Sequence, residues 1–163
     1  MSIGVLILCT GNSCRSILAE ALFREMGQGR ISAYSAGSDP AGSVNPAAIA
    51  KLVEEGLPIE GLASKSWNEF SGAEAPVIDI VITVCDSAAN ESCPLWPGEP
   101  ITVHWGIPDP AYAADSHAAF ERTFRQLQTR IERTLALPIE TLSSIELLQQ
   151  LQLIHAEALA SEV

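Results

Sequence analysis

The chain has 163 residues, and 20 acidic against 9 basic side chains give it a formal net charge of −11. That length suffices for one domain with a core of its own. The charge argues against nucleic acid and anionic membranes as partners, because both would be repelled, so affinity for an anion must come from donors placed locally. No apolar run approaches the ~18 residues of a membrane span, and no basic leader precedes the first one; the expected setting is soluble and cytoplasmic.

The first element is an apolar strand candidate, Ile3 to Leu8. It runs directly into Cys9-Thr10-Gly11-Asn12-Ser13-Cys14-Arg15-Ser16. This places a thiol and a guanidinium six residues apart around a loop whose backbone N–H groups can converge on a tetrahedral oxyanion. A thiol must ionise to attack, and Arg15 together with the helix that starts there supplies the positive potential for it. Ser16 to Met26 has helical periodicity, with Leu18, Leu22 and Met26 on one face and Gly27 and Gly29 at its end. A short strand, Ile31 to Ser35, follows, then a loop over residues 37–43. Asn45 caps a second helix with Pro46 at its first position, Ile49, Leu52 and Val53 inward and Gly56 at the stop.

After a second loop at 71–76, Asp79 to Val84 is an apolar run of the kind buried on both faces of a parallel sheet, and Ile101 to His104 is a shorter one. From Asp115 to Leu137 the positions Phe120, Phe124, Leu127, Ile131 and Leu135 predict a long amphipathic helix. A last helix restarts after Pro138, with Ser143 and Glu146 at capping-box spacing and Leu147, Leu148, Leu151 and Ile154 as its apolar set. It can pack on the body or on a second copy. The expected fold is therefore α/β: an open, doubly wound, four-stranded parallel sheet with helices on both faces. Residues 1–137 form the body, and 138–163 a C-terminal helical extension of the same domain.

In such a sheet, ligands bind beyond the carboxyl ends of the strands. Cys9 follows the first strand, Cys85 the third and Asp109 the fourth, so one rim gathers them. The four cysteines, at 9, 14, 85 and 93, are too few and too unevenly spaced for a disulfide framework. Cys9 and Cys14 also lack the short knuckle spacing of a zinc ribbon. On the residues alone, Asp109 is either a turn former before Pro110 or a proton donor, and Cys85 and Cys93 are either ordinary cysteines or redox thiols.

Taken together, Cys9 to Ser16, Tyr34-Ser-Ala-Gly37, Val84-Cys-Asp86, Cys93-Pro94 and His104-Trp-Gly-Ile-Pro-Asp-Pro110 resemble the arsenate reductases built on the low-molecular-weight tyrosine phosphatase fold, the thioredoxin-coupled family. The resemblance covers residues 1–137. It implies that Cys9 attacks arsenate while Arg15 and the loop from Thr10 to Ser16 hold the oxyanion, and that Asp109 protonates the departing oxygen. Cys85 would then attack Cys9 and release arsenite, and Cys93 would attack Cys85, each by thiolate exchange. It implies no tightly bound cofactor, and electrons from an external thiol system, thioredoxin or glutathione with glutaredoxin. The alternative is a phosphotyrosine protein phosphatase, in which water replaces the second thiol.

Cys14 is a small structural residue or a partner for Cys9 under oxidation. Ser16 is expected to donate to the Cys9 sulfur, and Asn12 to fix a left-handed turn. Glu20 and Ser35 match positions that bind potassium in some members of the family. Ser64-Lys65-Ser66-Trp67-Asn68 lacks the aspartate that would complete such a site, so Lys65 is expected either to replace the ion by pairing with Glu20 or to be a plain surface lysine. Tyr34, Trp67, Trp96 and Trp105 are read as packing residues, and His104, His117 and His155 as scattered histidines without ligand spacing.

Overall fold

The computed structural model describes residues 2–90 and 96–162. Its sheet consists of β1 (Ile3–Leu8), β2 (Ile31–Ala36), β3 (Ile80–Thr83) and β4 (Ile101–His104) in the order β2-β1-β3-β4. All three pairings are parallel, with Leu8 opposite Ala36 on one side and Thr83 on the other. Strand order reverses at β1, so the crevice between the ends of β1 and β3 is where a ligand fits.

Both faces are covered, as the unbroken apolar runs require. Side chains alternate across a strand. Val5, Ile7, Ile80, Ile82 and Val103 accordingly enter one core, shared with α1 (Arg15–Gly27), α4 (Ser116–Leu135) and α5 (Ser144–Ser161), whereas Leu6, Leu8 and Val81 enter a smaller core with Trp67, Phe70 and Trp96. The aromatic residues pack as anticipated: Trp67 and Trp96 meet edge-on, and Tyr34 tilts onto Phe70.

Two expectations about helix faces change. α1 has no polar face over its first two turns, because every residue from Ser16 to Phe23 is buried; the sheet, α2 (Pro46–Glu54) and α4 enclose it, and a helix enclosed on all sides carries no amphipathic stripe. In α2, Asn45 caps as expected by accepting from Ala47 N at 2.9 Å. However, Val53 is 60% exposed and Lys51 is buried. Lys51 Nζ bonds Glu121 of α4 and Glu55 at 3.1 Å and lies over the Phe124 ring. Burial lowers the lysine pKa, but these carboxylates more than offset it and leave the net shift upward.

The last helix packs on the body. Leu147, Leu151, Ile154 and Ala158 are buried, Ser143 caps the helix by accepting from Glu146 N, and Trp105 Nε1 donates to Leu151 O at 3.0 Å. Arg130 of α4 is fully buried and closes the far end, donating from both terminal nitrogens to Glu162 and from Nε to His155 Nδ1. Among the described residues, no helix is long and apolar enough to cross a membrane.

Candidate active site

The loop from Cys9 to Arg15 is held from outside by its carbonyls. Asp39 N donates to Thr10 O, Ala41 N to Gly11 O and Asn45 N to Ser13 O, at 2.9–3.0 Å, and Ser64 Oγ donates to Gly11 O at 3.0 Å. The carbonyls turn to the outer segment, while the amides of Thr10 and Gly11 turn the other way, to the Cys85 and Cys9 sulfurs. Gly37 permits this approach: a Cβ there would collide with Thr10 O and lie 2.7 Å from Cys9 O.

Asn12 sets the turn. It is fully buried, with φ 45°, a conformation asparagine tolerates better than most residues. Its Nδ2 donates to Ser16 Oγ and Ser35 Oγ, and its Oδ1 accepts from Lys65 N, all at 2.9 Å. The left-handed turn expected of Asn12 is therefore present. Ser16 sits in this cage behind the loop, whereas the Cys9 sulfur accepts from the Gly11 amide and is hydrogen-bonded to Cys85.

Behind the cage lies Glu20, 2% exposed. One carboxylate oxygen accepts from Ser35 Oγ and the other from Arg24 Nη2. Lys65 Nζ stands 3.9 Å from Glu20 and donates to Ala63 O at 2.8 Å. The lysine does reach the carboxylate, but Arg24 makes the direct bond. One turn after Glu20 on the same helix, at i,i+4 spacing, Arg24 was readable as its partner.

The crevice itself is a cleft of about 450 Å³ whose walls include Cys9, Ser13, Cys14, Arg15, Cys85 and Asp109. Arg15 Nη1 donates to Ile107 O at 2.8 Å, and Nη2 lies 3.4 Å from Asp109 Oδ2. Its Nε is buried without a hydrogen-bond partner among the described residues, a donor left for an oxyanion. Asp109 Oδ1 accepts from Ala111 N at 2.9 Å, which aims the other oxygen at Arg15. Burial and the charge of Asp109 raise the Cys14 thiol pKa against hydrogen bonds from Ser13 and Asn45, so Cys14 stays a neutral packing group. The sequence reading passed over Tyr112, which is 91% exposed and stands on the cleft wall; its place three residues after Asp109 was the available signal. Another cleft of similar size, walled by Ser2, Asp79, Glu99 and Glu140, lies at the amino ends of the strands, and its walls include neither thiol nor guanidinium.

Two thiols face each other in this cleft. Cys9 and Cys85 are each 5% exposed. The Cys85 sulfur accepts from the Cys9 thiol and from the amides of Ala88 and Thr10, the last at 3.3 Å, and these bonds bring its pKa down to about 5 despite burial. Donating to Cys85 and being buried push Cys9 upward, against Arg15 and the Gly11 amide. At neutral pH the pair thus holds one proton and one negative charge. Cys93 lies outside the described residues.

Residues 4–145 match the family profile described as low molecular weight phosphotyrosine protein phosphatase. This chain belongs to that family. Within the low molecular weight phosphotyrosine protein phosphatase family, it is 34% identical over 137 residues to an arsenate reductase of Halalkalibacterium halodurans, covering 84% of this chain and 95% of the relative. It is 37% identical over 131 residues to an arsenate reductase of Bacillus cereus, covering 79% and 91%. A solved structure described as an arsenate reductase in the phosphate binding state superposes with a TM-score of 0.65 at 30% identity, covering 82% of this chain and 97% of that one. The family profile ends at residue 145, so nearly all of α5 lies beyond it.

Proposed function

We propose that this chain is an arsenate reductase that uses Cys9 as nucleophile and Cys85 as resolving thiol. One observation carries the reading: a second thiol is hydrogen-bonded to the loop thiol within a cleft suited to an oxyanion. Hydrolysis of a phosphate ester needs the loop, Arg15 and Asp109 but not Cys85.

Arsenate enters with its oxygens toward the loop amides of Thr10 to Ser16 and toward Arg15, whose unpartnered Nε becomes satisfied. The Cys9 proton passes to Cys85 or to the arsenate dianion, and the Cys9 thiolate attacks arsenic. An oxygen departs as water with a proton from Asp109, leaving a Cys9–arsenic bond. Cys85, still a thiolate or returned to one by giving its proton to the Asp109 carboxylate, attacks the Cys9 sulfur. The S–S bond forms as the S–As bond breaks, its electron pair moves to arsenic, arsenate becomes arsenite, and two thiols become a disulfide. Cys93 would next attack Cys85 and free Cys9. A reducing cytoplasm supplies the external thiol reductant that returns the chain to its starting state, thioredoxin or glutathione with glutaredoxin. Residues 138–163 serve as an extension of the same domain, and the pair of Arg24 and Lys65 at Glu20 takes the place of a potassium ion.

The test is a thiol count on fully reduced protein before and after arsenate, without added reductant, with the disulfide mapped. Loss of two thiols with release of one arsenite supports the relay. Unchanged thiols, with glutathione restoring arsenite release, would assign the resolving step to an external thiol. Unchanged thiols and turnover of a phosphate monoester would make the chain a phosphatase.

A further inference from the structure

We infer that His104 is a positioning residue that holds the Cys85 segment closed against Cys9, an inference that rests on Cys85 as resolving thiol. His104 ends β4, and its ring spans the two residues on either side of Val84-Cys85. Nδ1 lies 2.7 Å from Oγ1 of Thr83, the last residue of β3, and Nε2 lies 2.9 Å from Oδ1 of Asp86, the first residue of α3 (Asp86–Asn90). A neutral imidazole satisfies both: the Thr83 hydroxyl donates to Nδ1, and Nε2–H donates to the carboxylate.

Two further observations make this bridge a built feature. Gly106 leaves the space for it, since a Cβ there would lie 2.9 Å from His104 Nε2 and 3.1 Å from Asp86 Oδ1. The next residue anchors the ring: Trp105 N donates to Thr83 O at 2.7 Å, and its indole donates to α5, beyond the end of the family profile. By contrast, the Asp86 side chain is 87% exposed, so His104 is what gives it a fixed direction. Asp86 neighbours Cys85, whose sulfur accepts from the Ala88 amide within the same helix. Holding Asp86 therefore holds the Ala88 amide on the Cys85 sulfur, which keeps the sulfur shielded and aimed at Cys9.

The test compares His104→Ala, Asp86→Ala, the double variant and His104→Gln in the fully reduced, full-length protein. Its readouts are the rate of Cys85 alkylation by iodoacetamide, located by mass spectrometry, and arsenite release in a single turnover. Each alanine variant should raise Cys85 alkylation by about 10-fold, the factor expected for one lost hydrogen bond to a charged group, and slow arsenite release. The double variant should match the singles, because both remove the same contact. His104→Gln should recover part of the protection. Asp86 is on the surface, so Asp86→Ala keeps the test valid if His104→Ala fails to fold. Wild-type alkylation in Asp86→Ala, or additive effects in the double variant, overturns the inference. Altered alkylation in a protein that releases no arsenite would keep the bridge and reject the assigned reaction.

Discussion

Asn12→Ala tests the account of the loop most directly, with Asn12→Gly as its partner. Both substitutions remove three hydrogen bonds of 2.9 Å from a fully buried side chain. At about 1 kcal/mol net for each bond, the glycine variant should lose roughly 3 kcal/mol. Alanine must also adopt φ 45°, which adds about 1 kcal/mol and brings its loss to roughly 4 kcal/mol. For a chain of this size, 1 kcal/mol corresponds to about 2–4 °C in Tm. The assay is reversible denaturant unfolding of the reduced protein, with phosphate affinity measured by calorimetry. Phosphate binding should weaken at least about 10-fold in both variants, because amides no longer held in place must be ordered on binding. Glycine matching wild type would refute the hydrogen-bond argument, and alanine matching glycine would refute the backbone one.

Other outcomes follow from the same geometry. Gly37→Ala should push the loop carbonyls at Cys9 and Thr10 away from residue 37 and lower both phosphate affinity and Tm, whereas Gly72→Ser, where nothing lies within 4 Å, should leave phosphate affinity unchanged. In the reduced protein, thiolate absorbance should titrate with a midpoint of about 5, and that midpoint should shift in Cys85→Ser, where Cys9 no longer donates to a second sulfur. A thiol lowered on folding contributes stability that is present above its unfolded pKa and lost as pH falls toward the folded one. Reduced wild type should therefore lose stability between its ordinary thiol range and about 5, and Cys85→Ser should lack that slope; equal slopes would mean Cys85 is not ionised. Lys51→Met should leave Glu54, Glu55 and Glu121 facing one another and lower Tm at neutral pH. The deficit should shrink once acid neutralises the carboxylates, and a pH-independent deficit would point to packing instead.

Features carried by neighbours in the chain were legible before the tertiary structure was known. The caps at Asn45 and Ser143, the continuous apolar run through Ile80 to Thr83, and the spacing of Cys9 to Arg15 depend on contacts within a few residues, so they appear as patterns. The placing of Cys9, Cys85 and Asp109 on one rim was likewise reachable, because parallel strands put every carboxyl end on the same side. What the sequence left open involves partners distant along the chain. Lys51 is buried with Glu121, 70 residues away, among its partners, while Val53 faces solvent. The hydrogen bond between Cys9 and Cys85 depends on the register of β1 against β3, and the bridge from His104 to Asp86 on that of β3 against β4. Periodicity records which face of a segment is apolar; which polar group meets another across the crevice is set by how the strands and helices pack.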